Sequence, residues 1–299
     1  MLARLQAQLK TAGAAVTRLD PLGFGAGDPM FWDGEGYVWF DEDLSNVDAV
    51  IVRRLPAERA LPPQGVAVTA AHVERAGTEA MERSHFFEAW LWDAEQRGIP
   101  VYNPHASRQF DHKPLQLAML QRAGVPMPRT MITNSGRAAG LFADDVGEVI
   151  YKPVGGGRET ELLTAEARAR LGLLGSAPII FQERIVGPDC RVTVIGGEIV
   201  SQVEIPSHPV DYRLGEAYRA GQQTYLELSL PPEIQALARR VADLCHHAVS
   251  GIDLKRGPDG RYLVLEANSA PVYLDIELKA GHAITARWVD LVMRKSLRF

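Results

Sequence analysis

The chain has 299 residues with 32 Lys and Arg against 37 Asp and Glu, a formal charge of -5; this is no electrostatic footprint for a phosphate backbone and excludes a general nucleic-acid binder. A hydrophobic share of 46% beside 23% charged residues belongs to a chain that buries a sizeable core, and at roughly 100 to 200 residues per domain two domains are expected. Cys190 and Cys245 supply neither a disulfide framework nor a metal cluster and point to the cytosol; no apolar run reaches the ~18 residues of a membrane span, and the eight histidines show no zinc-binding spacing.

In chain order, residues 3–12 are predicted as a helix stopped by Gly13, residues 15–19 as a strand and residues 47–52 as a buried strand, an alternating α/β pattern. The glycine- and aromatic-rich stretch 23–40 reads as a loop and short hairpin without chemistry. Residues 72–97 form a long helix with Phe86, Trp90 and Leu91 on its core face. A short strand and turn at 100–104 precede a compact helix at 114–123, bounded by Asp111 and Gly124. Boundaries near 105 and 184 divide the chain into an N-terminal domain (1–105), a central part (106–184) and a C-terminal part (185–299). Strands are expected at 130–132, 148–152 and 179–183, and a helix at 164–171. Residues 233–249 place Ile234, Leu237, Ala238, Val241, Leu244, Cys245 and Ala248 on one helical stripe, so Cys245 is core and not a nucleophile.

Residues 251–255 and 261–268 flank the turn sequence Gly257-Pro258-Asp259-Gly260 and are expected to pair as an antiparallel hairpin. With Arg256 opposite Arg261, Asp253 falls opposite Val264. Alternation then puts Asp253, Glu266 and Asn268 on one face and Ile252, Leu254, Leu263, Leu265 and Ala267 on the other. Two carboxylates and a carboxamide suit magnesium, which bridges one or two carboxylates to nucleotide phosphates, although half-exposed strands also carry such residues for solvation alone. Lys152 ends an apolar strand that runs into Gly155-Gly156-Gly157, where backbone amides can approach an anion beside the ammonium; a plain glycine turn has the same pattern. The run 179–186 turns polar at Gln182 and Glu183, an end able to serve an adenine and a ribose with Ile185 against the ring, although the spacing alone does not establish this. Gly196-Gly197 marks another hairpin. Pairing Ile195 with Glu198 puts Arg191 across from Gln202 and Asp189 across from Glu204, leaving Arg191 on a polar face where it can grip phosphate or carboxylate.

Taken in order, these pieces resemble the ATP-grasp superfamily, specifically its RimK-like carboxylate-amine ligases, over residues 103–291. The order is a lysine before an amphipathic helix, a lysine on a strand before a glycine loop, Gln-Glu at a strand end, Asp-x-Arg, and Asp followed by Glu-x-Asn on a hairpin. Within that group the chain is similar to graspetide (microviridin-type) ligases, which install ester or amide crosslinks in ribosomal peptides. The likeness lies in Val50-Ile51-Val52-Arg53-Arg54, Lys113-Pro114-Leu115-Gln116-Leu117, residues 128–134 and Val210-Asp211-Tyr212-Arg213.

The resemblance implies an α/β chain of α+β two-layer units, an ATP-grasp fold behind an N-terminal Rossmann-like pre-ATP-grasp domain. It implies ATP and magnesium, with manganese as the alternative ion, and a peptide or small-molecule carboxylate joined to an amine or hydroxyl through an acyl phosphate. Neither nucleic acid nor membrane is implied as a partner, and a homodimer is, since dimers are common in similar proteins. By the same resemblance Lys113 and Lys152 hold ATP phosphates; Gly155, Gly156 and Gly157 form the flap over them; Gln182, Glu183 and Ile185 line the adenine side. Asp253, Glu266 and Asn268 ligate magnesium, and Arg191 and Arg213 face the acyl phosphate or the incoming carboxylate.

Two departures stand out. RimK-like proteins open with a strand, whereas this sequence opens in helical pattern, so either that strand is missing or the assigned start is late. The flap 155–160 also lacks a longer glycine and serine pattern common among RimK-type enzymes. Two rival functions stand beside it: a kinase that keeps the fold and leaves phosphate on its substrate, and, from another class, a nucleotide-binding regulator without turnover. The presence of Asp253, Glu266, Asn268 and Lys152 argues against the regulator.

Overall fold

The computed structural model describes residues 1–19, 29–39, 42–53, 69–155, 160–206 and 215–296. Contacts divide the chain into two units, Leu2–Ala106 with the segment from Val289, and Ser107–Trp288. The segment from Val289 thus groups with the N-terminal unit, although sequence order attaches it to the C-terminal part.

In the first unit, α1 (Leu2–Thr11) buries Leu5 and Leu9, one helical turn apart. Strands β1 (Met30–Trp32), β2 (Tyr37–Trp39) and β3 (Glu42–Asp43) form an antiparallel sheet that contains the expected short hairpin. Next come β4 (Val50–Ile51), α2 (Ala70–Gln96) and β5 (Val101–Tyr102), with β4 and β5 paired in parallel. The side chain of Thr69 caps α2 by accepting the His72 N–H. Phe87, Trp90, Leu91 and Ala94 bury one face of α2 against Tyr37 and Trp39, and Phe87 meets Trp39 edge-to-face at 4.9 Å. Residues 15–19, expected as a strand, form no ladder with other described residues; a β-branched pair such as Val16 and Thr17 forms a strand only beside a neighbour that offers an edge.

After α3 (His105–Arg108), where the division between the units falls, a 3-10 turn of the second unit leads to α4 (Lys113–Arg122), which has Pro114 in its first turn. Then follow β6 (Thr130–Thr133), α5 (Gly136–Val146), β7 (Val149–Pro153), β8 (Glu161–Leu162), α6 (Ala165–Ala169) and β9 (Ile179–Glu183). The strands form an antiparallel sheet in the order β6-β9-β7-β8. Helix α5 is absent from the sequence-based expectations because Gly136 and Gly140 lower its helix propensity, although its apolar residues fall on one face. Ser135 nevertheless caps it, and Ala139, Phe142 and Ala143 bury it. Gly136 is required by close approach, since a Cβ there would lie 2.3 Å from the Leu171 carbonyl oxygen.

The chain continues through β10 (Asp189–Ile195), β11 (Glu198–Ile205), α7 (Glu216–Arg219), β12 (Leu226–Glu227), α8 (Pro232–Leu244), β13 (Val249–Arg256) and β14 (Tyr262–Asn268). It closes with α9 (Leu274–Ala280) and α10 (Ile284–Ser296). The second sheet is antiparallel in the order β12-β11-β10-β13-β14. Its apolar face carries Cys190, Val192, Val194, Ile252 and Leu254 against Ala238, Val241 and Ala242 of α8. The helix expected to reach residue 249 stops at Leu244, because His246 turns left-handed (φ 54°) and Val249 is drawn into a pairing with Ile195. Cys245 lies in the core as expected. Burial pushes the thiols of Cys190 and Cys245 up to about 12.

Two bulges reset the expected registers. In β13–β14, Leu254 pairs with Val264 but Asp253 pairs with Glu266, so Leu265 is an extra residue; Arg256 meets Tyr262 in place of Arg261. One inserted residue flips the parity of everything beyond it. Val264 therefore enters the core with Ile252, Leu254 and Ala267, whereas Leu263 and Leu265 are only half-buried. In β10–β11, Ile195 pairs with Glu198 as expected. A bulge beside Thr193 then puts Arg191 opposite Val203 and Asp189 opposite Ile205, in place of Gln202 and Glu204.

Candidate active site

The polar face of the second sheet is built one strand at a time. Arg191 on β10, Asp253 on β13 and Glu266 on β14 fall in one cross-strand row. The Arg191 Nε donates to Asp253 Oδ1. Asn268 is two residues beyond Glu266, and its Nδ2 donates to Asp253 Oδ2 at 3.0 Å and to Glu266 Oε1 at 3.3 Å. Lys113, at the start of α4, brings its Nζ to 2.9 Å from Glu266 Oε2. Two residues along the same face, Lys255 donates to Asp189 Oδ1 at 3.0 Å. Gly251, in the row of Asn268, leaves room for Pro271: a Cβ there would sit 2.7 Å from Pro271 Cβ, and 3.4 Å from Arg191 Nη1.

The electrostatics of the two carboxylates diverge. Burial opposes charge on Glu266, but the Lys113 and Lys152 ammoniums, with hydrogen bonds from Lys113 and Asn268, hold it down at about 2. Asp253 is pushed up to about 6 by burial, which outweighs Arg191, and the negative charge of Glu266 adds to the rise. One carboxylate is thus committed to its charge while its neighbour resists ionising. A cation placed between them would relieve that conflict, and the oxygen-only donor set of two carboxylates and a carboxamide fits a hard ion. Among the described residues no three His, Cys, Asp or Glu side chains gather into a cluster of their own.

On the first sheet of this unit, Lys152 on β7 donates to Gln182 Oε1 on β9 at 3.4 Å, and Gln182 Nε2 donates to Thr130 Oγ1 at 2.8 Å. The Gln182 side chain, only 1% exposed, is thus engaged at both ends within the protein. Glu183 Oε2 accepts the Arg129 N–H at 3.2 Å. Ile185 is half-buried just beyond β9, and Gly155 is an exposed turn residue after β7. Gly156, Gly157 and Arg213 lie outside the described residues. The structure therefore brings Lys113, Asp253, Glu266, Asn268 and Arg191 into one bonded group and sets Lys152 with Gln182 near enough for its charge to reach Glu266.

Sequence reasoning passed over Lys255, Thr130 and Gln116 as site residues. Lys255 had a signal, since it shares the strand parity of Asp253. Gln116 had a weaker one, a polar residue on the buried side of α4 beside Leu117 and Leu120.

A model of the RimK-like ATP-grasp domain matches residues 110–292. The chain is 30% identical over 222 residues to a probable alpha-L-glutamate ligase 1 of Hahella chejuensis, covering 70% of this chain and 71% of that protein. It is 30% identical over 190 residues to the ribosomal protein bS6--L-glutamate ligase of Escherichia coli, covering 58% and 61%. Among solved structures, the ATP-grasp ligase PsnB complexed with a minimal precursor superposes with a TM-score of 0.84 at 28% identity, over 98% of this chain and 94% of that one. The macrocyclase MdnC of Microcystis aeruginosa, 20% identical with a TM-score of 0.78, shares the fold over 98% and 95%. The chain belongs to the RimK-like ATP-grasp family. It is an ATP-grasp ligase, a class that couples ATP to carboxylate–amine bond formation.

Proposed function

We propose that this ligase activates a carboxylate as an acyl phosphate, with magnesium, and passes it to an amine or hydroxyl of a peptide. The observation that carries the reading is the gathering of Asp253, Glu266 and Asn268 on one sheet face, with Lys113, Lys152 and Arg191 around them. Asp253, Glu266 and the amide oxygen of Asn268 would hold the magnesium ion, which when bound supplies positive charge to the triphosphate. Lys113 and Lys152 act as point charges on phosphate oxygens. Gln182 serves the nucleotide side by holding Lys152 in place, with Glu183 and Ile185 next to it in sequence. Gly155, Gly156 and Gly157 are the proposed flap, and Arg191 and Arg213 the groups that face the reacting carboxylate. Manganese is the alternative ion, and a homodimer the proposed assembly.

The substrate carboxylate oxygen attacks the γ-phosphorus and ADP departs; the amine or hydroxyl then attacks the acyl carbon and phosphate departs. Each step brings anionic oxygens together, so fixed cations and positioning do most of the work, and effective molarities of order ~10⁵ M are reached in favourable cases. No side-chain nucleophile is required, in keeping with two buried thiols of raised pKa. A peptide substrate is favoured because PsnB and MdnC are each described with a precursor. The parallel β4 and β5 with α2 between them support a Rossmann-like reading of residues 1–105, ahead of ATP-grasp parts at 106–184 and 185–299.

The test is product analysis. A peptide rich in Thr, Ser, Lys, Asp and Glu, encoded beside the gene, is incubated with ATP and magnesium and examined by mass spectrometry. Loss of one water per bond with release of ADP and free phosphate is the expected result. A product that retains phosphate would replace the ligase with a kinase.

A further inference from the structure

The buried side of α4 carries Gln116 between apolar neighbours, and its carboxamide is 3% exposed. Its Nε2 donates to the Phe110 and Ala267 carbonyls, both at 2.8 Å, and its Oε1 accepts the Ala267 N–H at 2.9 Å. The exchange with Ala267 is the pair of bonds a neighbouring strand would make. Ala267 pairs with Ile252 on its other side, so one side chain takes the place of a strand partner at this point on the outer edge of β14. Ala267 is the residue between Glu266 and Asn268.

Lys113 stands three residues before Gln116, on the same side of α4. Helix and strand are therefore joined twice in parallel, by Lys113 to Glu266 and by Gln116 to Ala267. The two links differ in kind. Under the assignment proposed above, Glu266 turns to a cation and Lys113 to a phosphate, so the ion pair is exchanged when nucleotide arrives. The Gln116 link ends on main chain and has no reason to open. Packing alone would be served by a leucine, and a carboxamide in the core keeps its place only because all its bonds are made.

From this we infer that Gln116 is a positioning residue: it holds the amino end of α4 against β14, so that the Lys113 ammonium and the Glu266 carboxylate stay at a fixed spacing while their partners change. The inference rests on the proposed roles of Lys113 and Glu266.

The test is calorimetric titration of the full chain with ADP in magnesium chloride, beside thermal unfolding of each variant. Gln116→Met keeps length and shape and removes the three bonds; its Kd for ADP with magnesium should rise about tenfold or more, the range for residues that orient metal ligands. Leu120→Ala, in the core on the same helix, should lower the melting temperature and leave that Kd within about twofold, since it removes apolar packing and no hydrogen bond. A Gln116→Met protein with the Leu120→Ala pattern, less stable with unchanged Kd, overturns the inference. Lys113→Ala and Glu266→Gln are titrated alongside. If neither weakens binding, the assignment of the site falls and the inference with it; if both weaken it and Gln116→Met does not, the inference alone is lost. Should Gln116→Met not fold, Gln116→Glu, which keeps the acceptor for the Ala267 N–H and loses the donated bonds, is judged by the same criteria.

Discussion

Two lysines hold the Glu266 carboxyl well below its usual range while burial pushes that of Asp253 up, and this asymmetry sets what single substitutions should do. Glu266→Gln keeps the size of the side chain and costs only the ion pair with Lys113, so the fold should survive. Phosphate release should fall by roughly a hundredfold or more, because a charge-stabilising group at the reacting phosphate is lost. Lys152→Ala should do the same with a cleaner effect on KM for ATP, and steady-state kinetics on both variants checks this. A residue far from this face gives a pH effect on stability. Burial, with the charge of His246 adding, lowers the pKa of His247 from 6.5 to about 4. The unfolded chain takes up that proton first, so this contribution is complete above pH 6.5 and is lost as pH falls toward 4, at up to about 1.4 kcal/mol per pH unit. Urea unfolding at pH 7 and pH 5 should show a slope that His247→Gln flattens by about one proton.

At the scale of elements, the joint between the two sheets of the larger unit is narrow. Gly187 has φ 154°, and a Cβ there would lie 1.9 Å from the Arg256 carbonyl oxygen. Gly187→Ala must push β10 away from the β13–β14 turn and should cost about 3 kcal/mol or more, a loss read directly from the melting temperature. The bulge at Leu265 matters in the opposite sense, by letting one strand satisfy two demands. Without it, a strict alternation would set Val264 on the polar face with Asp253; with it, Val264 enters the core while Glu266 and Asn268 still face the lysines. Turn chemistry located this hairpin in the sequence, and no local signal marks the bulge.

For the whole molecule, ligand linkage offers a test that needs no substrate. ADP with magnesium at about a hundred times its Kd should stabilise the folded chain by about 2.7 kcal/mol. EDTA should remove most of that gain, and a melting temperature indifferent to magnesium would detach the metal from the site. Most of the helices and strands bordering the site were legible beforehand: α4 and the strands around Lys152 and Gln182 announce themselves by boundary residues, apolar runs and turn residues. Helix α5 was not, because its two glycines lower helix propensity and it is held by the surface it covers.

Period and spacing by themselves determined the alternating α/β pattern and the face that Asp253, Glu266 and Asn268 share, since alternation along a strand is a local property of the backbone. Tertiary structure alone decided that Lys113, 153 residues before Glu266 in the chain, would close on it at 2.9 Å, that two bulges would shift the registers, and that Gln116 would serve as a strand partner. Each of these depends on which surfaces meet and how closely, and burial strengthens the resulting bonds and charges to a degree that no run of residues expresses until it is folded against another.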